Sequence, residues 1–134
     1  MATVLDFERM LVGSGIKLIK YYLDISKAEQ KKRLAERRAD PLKQWKISPI
    51  DAQATRKWRT YSKARDAMLK RTHNALTPWT IVCAGDKKAA RLNLIRDLLS
   101  RLPYDGKERR LLKADPKVVF PYSEACLRNG KIAP

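Results

Sequence analysis

The segment Glu36 to Asp51, ERRADPLKQWKISPID, gathers Arg37, Arg38, Lys43 and Lys46 within ten residues. Such a spacing suits the clamping of phosphates. Arg presents a planar fork that binds an oxyanion through two parallel hydrogen bonds, and Lys adds a compact point charge. A loop of this kind that closed over a phosphoryl group would exclude water and strengthen each contact at the moment charge is redistributed. A solvated basic loop fits the composition equally well.

Other residues carry chemistry less clearly. Arg56, Arg59, Lys63 and Lys70 share a helical stretch and could line a groove for a polyanion, or simply face water. Asp86-Lys87 follows an apolar run, where Asp86 reads first as a helix N-cap. Trp45 reads as packing against the domain, and Trp58 and Trp79 as core residues. His73 stands alone, with no Cys or carboxylate cluster at metal spacing, so no metal site is expected. Neither Cys83 nor Cys126 has a catalytic partner nearby; both read as free thiols, which fits a cytoplasmic protein.

Regular elements must hold these side chains. Leu5 to Val12 reads as a short amphipathic helix, closed by Gly13-Ser14-Gly15. Ile16 to Ile25, IKLIKYYLDI, is rich in branched and aromatic residues and reads as a buried strand. Ser26 with Glu29 three residues on predicts a capped helix to about Ala39, and Pro41 to Ser48 a loop. Ser48-Pro49 with Asp51 predicts one long helix over about 51–72, with an apolar stripe of Ala54, Trp58, Tyr61 and Met68. Trp79 to Ala84 reads as a second buried strand. A third long helix over 86–102 has Leu94, Ile95, Leu98, Leu99 and Leu102 as its apolar face. Beyond Tyr104 the chain reads as a basic tail with no core pattern. Two apolar strands, each followed by a helix, predict an α/β fold with a parallel sheet flanked by helices. Two strands are too few for such a sheet alone, so the open edges and uncovered helix faces predict self-association.

Composition sets the class of partner. The 134 residues include 30 Lys and Arg against 14 Asp and Glu, a net charge of +16. Such a field attracts polyanions without choosing among them. No apolar run approaches the ~20 residues of a membrane span, and Met1 to Glu8 does not read as a signal peptide. Zinc-finger spacing, an aromatic RNA-binding strand motif and a DNA-reading helix pair are all missing, which argues against nucleic acid as the partner.

The stretch DPLKQWKISPID resembles the lid motif of family-2 polyphosphate kinases, which move phosphate between inorganic polyphosphate and nucleotides. DFERMLV followed by GIKLIKYYLDIS resembles the helix and strand before that lid. TPWTIVCAGDKKAARLNLIRDLLSRLPY resembles the last strand and helix, and ADPKVV the end of the single-domain branch that favours nucleoside diphosphates. The resemblance runs over roughly residues 5–119. It implies part of a P-loop kinase fold, similar to thymidylate kinase, with residues 1–104 as the C-terminal part of the domain, the lid at about 37–50 and a basic tail over 105–134. It further implies Arg37 as the catalytic lid arginine, with Arg38, Lys43, Lys46, Arg56 and Arg59 contacting polyphosphate or nucleotide phosphates. Mg²⁺ at the phosphates, a homo-oligomer and cytoplasmic location complete the expectation.

The chain departs from the family at informative places. None of its five glycines falls in a G-x-x-x-x-G-K arrangement, so the family's N-terminal phosphate-loop half, with its metal-holding Asp-Arg segment, has no counterpart. Gly13-Ser14-Gly15 stands where a charged pair is more usual, and Gly85 replaces an acidic neighbour of Asp86-Lys87. Phosphoryl transfer depends on backbone amides and a metal to neutralise charge. The isolated chain is therefore expected to bind phosphates but not to transfer them. The alternative is a non-catalytic module for polyphosphate or nucleic acid.

Overall fold

The structure, a computed structural model, describes residues 2–134; the surroundings of the Ala2 and Ala52 side chains are not described, and Met1, where the expected domain begins, lies outside it. Helix α1 (Ala2–Gly13) leads through a glycine turn into β1 (Lys20–Asp24). Gly15 takes φ +87°, a left-handed conformation open to glycine at little cost. Helix α2 (Lys27–Ala39) starts at Ser26, whose side chain accepts from the Glu29 N–H at 3.1 Å. A 3-10 turn over Pro41–Lys46, α3 (Pro49–Arg56) and α4 (Trp58–Thr72) follow, then β2 (Trp79–Cys83) and α5 (Lys87–Arg101). A second 3-10 turn at Arg109–Leu112 precedes β3 (Val119–Pro121) and α6 (Ala125–Arg128).

The two expected strands are parallel neighbours, with Lys20 opposite Trp79 and Asp24 opposite Cys83. A third strand, β3, pairs antiparallel with β2, so the sheet is mixed, in the order β1-β2-β3. The reading of 105–134 as a tail without a core pattern is thereby corrected. Phe120, Tyr122, Cys126 and Ile132 are buried with Leu69 and Ile81 on one sheet face. On the other face Val119 joins Val82, Ala84 and Ala90. The segment escapes sequence reading because β3 is only three residues long and ends at Pro121, which lacks the N–H of a ladder position.

Four further expectations change. The run Ile16 to Ile25 supplies a strand only from Lys20, and that strand is an edge, with Leu23 half exposed rather than buried. The helix expected over 51–72 is two, because Lys57 (φ −93°, ψ 18°) leaves helical geometry; nothing in the sequence around it explains the break. Tyr61 is exposed instead of belonging to a closed apolar stripe. On α5 the buried residues are Ala90 and Asn93, while Ile95 is exposed.

A buried polar network sets the base of the sheet. Lys20 and Glu8 lie buried and paired at 2.9 Å, and Lys20 Nζ also donates to the Thr72 carbonyl at 2.6 Å. Glu8 accepts from Thr77 Oγ1 at 2.5 Å and from Asn74 at 3.3 Å, and the Lys20 ammonium lies 5.0 Å from the Trp79 ring. Burial would raise the Glu8 carboxyl. The hydrogen bonds from Thr77 and Lys20, with the Lys20 charge and Asn74, outweigh it and hold the group below its ordinary value. His73, given no chemical role, accepts from the Trp79 N–H at 3.2 Å and packs edge-on against Tyr122.

Candidate functional site

Helix α2 carries Arg37 and Arg38 and has no buried residue, so packing against the core cannot hold it in place. Its anchor is Arg33, which sequence reading overlooked. The guanidinium pairs with Glu29 at 2.7 Å and donates to the carbonyls of Ala84 at 2.6 Å and Gly85 at 3.0 Å. Those carbonyls lie just past the carboxyl end of β2, so one arginine ties α2 to the strand ends. The Glu29–Arg33 spacing of four was the available signal.

At the far end of α2, Arg37 faces Asp51 of α3 at 3.5 Å, a long contact with the arginine partly exposed. Asp51 Oδ2 also accepts from the Ser48 N–H at 3.2 Å, which starts α3. Asp40 caps the 3-10 turn by accepting from the Leu42 N–H at 3.0 Å and pairs with Lys43 at 2.6 Å. The Lys43 bond, then the Leu42 N–H, hold the Asp40 carboxyl below its usual value, and Asp40 raises Lys43 in turn. Lys46 lies 4.9 Å from the Trp45 ring. Trp45 is 78% exposed, which overturns the expectation that it packs against the domain; its indole N–H is held by the Leu42 carbonyl at 2.9 Å.

The structure thus brings Arg37, Arg38, Lys43 and Lys46 onto one projecting segment, with Arg37 and Lys43 each resting on an acid. Arg38, Arg56 and Arg59 are exposed, and among the described residues their side chains make no ion pair or hydrogen bond; Arg56 and Arg59 flank the break at Lys57. Trp58 is half-buried and its indole donates to the Pro134 carbonyl. Lys70 approaches Glu124 at 4.0 Å, on the far stretch of α4.

Asp86 and Lys87 sit elsewhere, at the start of α5. Asp86 Oδ1 accepts from the N–H groups of Lys88 at 2.8 Å and Ala89 at 3.1 Å, and these bonds, Ala89 first, lower its pKa. The carboxylate therefore already occupies the helix N-terminus that a phosphate would seek. Lys87, Arg33 and Arg91 rim a 310 Å³ hollow floored by Leu23, Val82, Ala84, Ala90 and Leu94. This second basic rim lies at the carboxyl ends of the parallel strands, where open α/β sheets bind ligands.

The donor set does not suit a metal ion. Among the described residues no three His, Cys, Asp or Glu side chains cluster at ligand distance. The buried Asp24 faces Arg65 at 3.6 Å and accepts from the Ala133 N–H, while burial pushes its carboxyl up. No such cluster marks a place for the Mg²⁺ implied by the resemblance, and no step below passes through it.

Comparison with known proteins agrees with the geometry. The family model described as "Polyphosphate kinase 2" matches residues 1–110, and the chain belongs to that family. It is 53% identical over 102 residues to an ADP-polyphosphate phosphotransferase of Pseudomonas aeruginosa, covering 76% of this chain and 34% of the relative. It is 45% identical over 128 residues to a GDP-polyphosphate phosphotransferase of the same organism, covering 95% of this chain and 36% of the relative. A crystal structure of Polyphosphate Kinase 2 from Arthrobacter aurescens superposes with a TM-score of 0.70 at 35% identity, over 96% of this chain and 43% of the other. The chain therefore spans about a third of the length of these curated relatives. Among the described residues no helix is long and apolar enough to cross a membrane.

Proposed function

We propose that this chain is the lid-bearing part of an enzyme that moves phosphate reversibly between inorganic polyphosphate and nucleoside diphosphates, taking ADP or GDP to ATP or GTP. The observation that carries the reading is the lid itself. A helix with no buried residue, tethered at its middle by Arg33, carries Arg37 and Arg38, and the 3-10 turn that follows carries Lys43 and Lys46, all away from the core. In this reading Arg37 exchanges its long contact with Asp51 for the transferring phosphates, which offer more charge and a bidentate geometry. Arg38, Lys43 and Lys46 hold the polyanion, Arg56 and Arg59 extend its track, and Lys87 beside Asp86 marks a second phosphate contact at the strand ends.

The chain as given has no glycine-rich phosphate loop. By itself it binds polyphosphate and transfers nothing; turnover needs that loop and a metal held outside the residues described. Self-association through the open edge of β1 and a cytoplasmic location, in keeping with two free thiols, belong to the same proposal. The net charge of +16 favours one rival, a module for polyanions in general. Titration of labelled polyphosphate against duplex DNA and structured RNA over a range of salt decides between them. Polyphosphate outcompeting both at equal charge, with Lys43→Ala and Lys46→Ala weakening capture and reducing its salt dependence, supports the lid. Nucleic acid competing as well as polyphosphate contradicts it.

A further inference from the structure

The basic segment from Arg37 to Asp51 also carries two carboxylates, and each performs the same pair of tasks. Asp40 Oδ1 accepts from the Leu42 N–H at 3.0 Å and starts the 3-10 turn, while its Oδ2 holds Lys43 at 2.6 Å. Asp51 Oδ2 accepts from the Ser48 N–H at 3.2 Å and also faces Arg37 at 3.5 Å. An uncharged Asn caps as well as Asp, so the turn itself does not call for a charge at position 40. What the charge adds is a partner for a cation. The other cations of the segment lack one. Among the described residues neither Arg38 nor Lys46 makes an ion pair, and Lys46 lies only against the Trp45 ring at 4.9 Å. Two cations are thus free and two are held.

The held pairs are built to open. The side chains of Lys43 and Asp40 are 50% and 34% exposed, and those of Arg37 and Asp51 37% and 20%. Pairs this open to water contribute little, because the attraction is screened and two side chains must be kept still. A phosphate oxyanion offers these cations the same kind of bond as the carboxylate and can take its place. Linked phosphates have a further advantage. After the first exchange, the next phosphate is already at high local concentration beside the second pair.

We propose that Asp40 and Asp51 are positioning residues acting as internal counter-ions, which hold Lys43 and Arg37 in reach and yield them to a chain of linked phosphates. The inference deepens the functional reading above and rests on it for the identity of that anion. Each carboxylate competes with the ligand, so the two acids loosen capture and ease release, while their bonds to backbone N–H groups keep the segment folded.

The test removes each charge and keeps the cap. Fluorescently labelled long-chain polyphosphate is titrated onto the 134-residue chain and its variants at about 0.15 M salt, where exposed charges more than about 8 Å apart are screened. Asp40→Asn and Asp51→Asn each tighten binding about two- to fivefold, the contribution of one exposed pair. Glu36→Gln is the control: Glu36 is exposed on the same helix and makes no ion pair among the described residues. It changes the net charge equally and tightens binding by less. The gain from Asp51→Asn disappears in the Arg37→Ala background, and that from Asp40→Asn in the Lys43→Ala background. A purely structural role for the two acids would produce neither result. Binding unchanged or weakened by the Asn substitutions, a gain no larger than that of Glu36→Gln, or a gain that survives loss of the partner cation overturns the proposal. Lys46→Ala tests the lid reading separately, because no acid competes for Lys46. Weaker binding there, without a gain from the Asn substitutions, leaves the lid reading standing and sinks the counter-ions. Unchanged binding there, with the paired gains intact, contradicts the lid reading and leaves the counter-ions standing. Failure of both arms contradicts both.

Discussion

Replacing Glu8 by Ala should cost this fold a large share of its stability. The carboxylate is buried, pairs with Lys20 at 2.9 Å and accepts from Thr77 and Asn74. Removing it leaves the Lys20 ammonium buried, with only the Thr72 carbonyl and the Trp79 ring for company. Breaking a buried pair from one side typically costs about 3–5 kcal/mol, against a total of about 5–15 kcal/mol for a domain. Glu8→Gln keeps the shape and an acceptor but loses the charge, and should cost about 1.5–3 kcal/mol. Glu8→Leu with Lys20→Met removes both charges, and should come out more stable than either single change. Urea unfolding followed by far-ultraviolet circular dichroism measures the unaltered chain, Glu8→Ala, Glu8→Gln, the double variant and its two single changes. A cost below about 1 kcal/mol for Glu8→Ala, or no coupling in the cycle, would show that the pair is not a buried one. The consequence reaches the site, since Lys20 stands opposite Trp79 in the parallel register and so helps fix where the strand ends fall.

Three further outcomes follow from the same structure. Because the Glu8 pKa is lowered from 4.5, its contribution is present above that pH and lost as pH falls through the folded value. Thermal unfolding should therefore show an acid limb below about pH 4.5 that Glu8→Gln flattens; an unchanged limb contradicts the assignment. Arg33→Ala should strip the Ala84 and Gly85 carbonyls of their partner and cost about 1–3 kcal/mol. Amide exchange should accelerate in α2 and not in β2, and equal acceleration in both would refute the tether. Phe120→Ala should cost about 3–5 kcal/mol because Phe120 sits in the core against Leu69 and Ile81; a near-silent change in urea unfolding would return residues 105–134 to the status of a tail.

What the sequence revealed follows a physical line. The basic segment after α2 and the helix starts were legible because cations, prolines and caps are local: Asp51 starts α3 and Asp86 caps α5 by bonds spanning two or three residues. The parallel pair was legible because two apolar runs alternate with helices. Long-range arrangements were not. Lys20 reads as a polar interruption in an apolar run, and only folding brings Glu8, Thr72 and Trp79 around it. The third strand is too short for any period to register, and its burial depends on α4 and β2. Arg33 drew no notice because its carbonyl partners lie about fifty residues further along the chain. Trp45 was misjudged for the opposite reason, since a tryptophan suggests a core and the 3-10 turn over Pro41–Lys46 buries no residue.

The central claim is that Arg37 serves the transferring phosphate and not merely the stability of the lid. The most direct measurement joins this chain to a phosphate-loop half from its family and compares steady-state turnover of ADP with polyphosphate before and after Arg37→Ala. The account predicts a fall in kcat of about 10²–10⁵, as for other arginines that meet a transferring phosphoryl group, with little change in KM for the nucleotide. Turnover left intact by Arg37→Ala would contradict it.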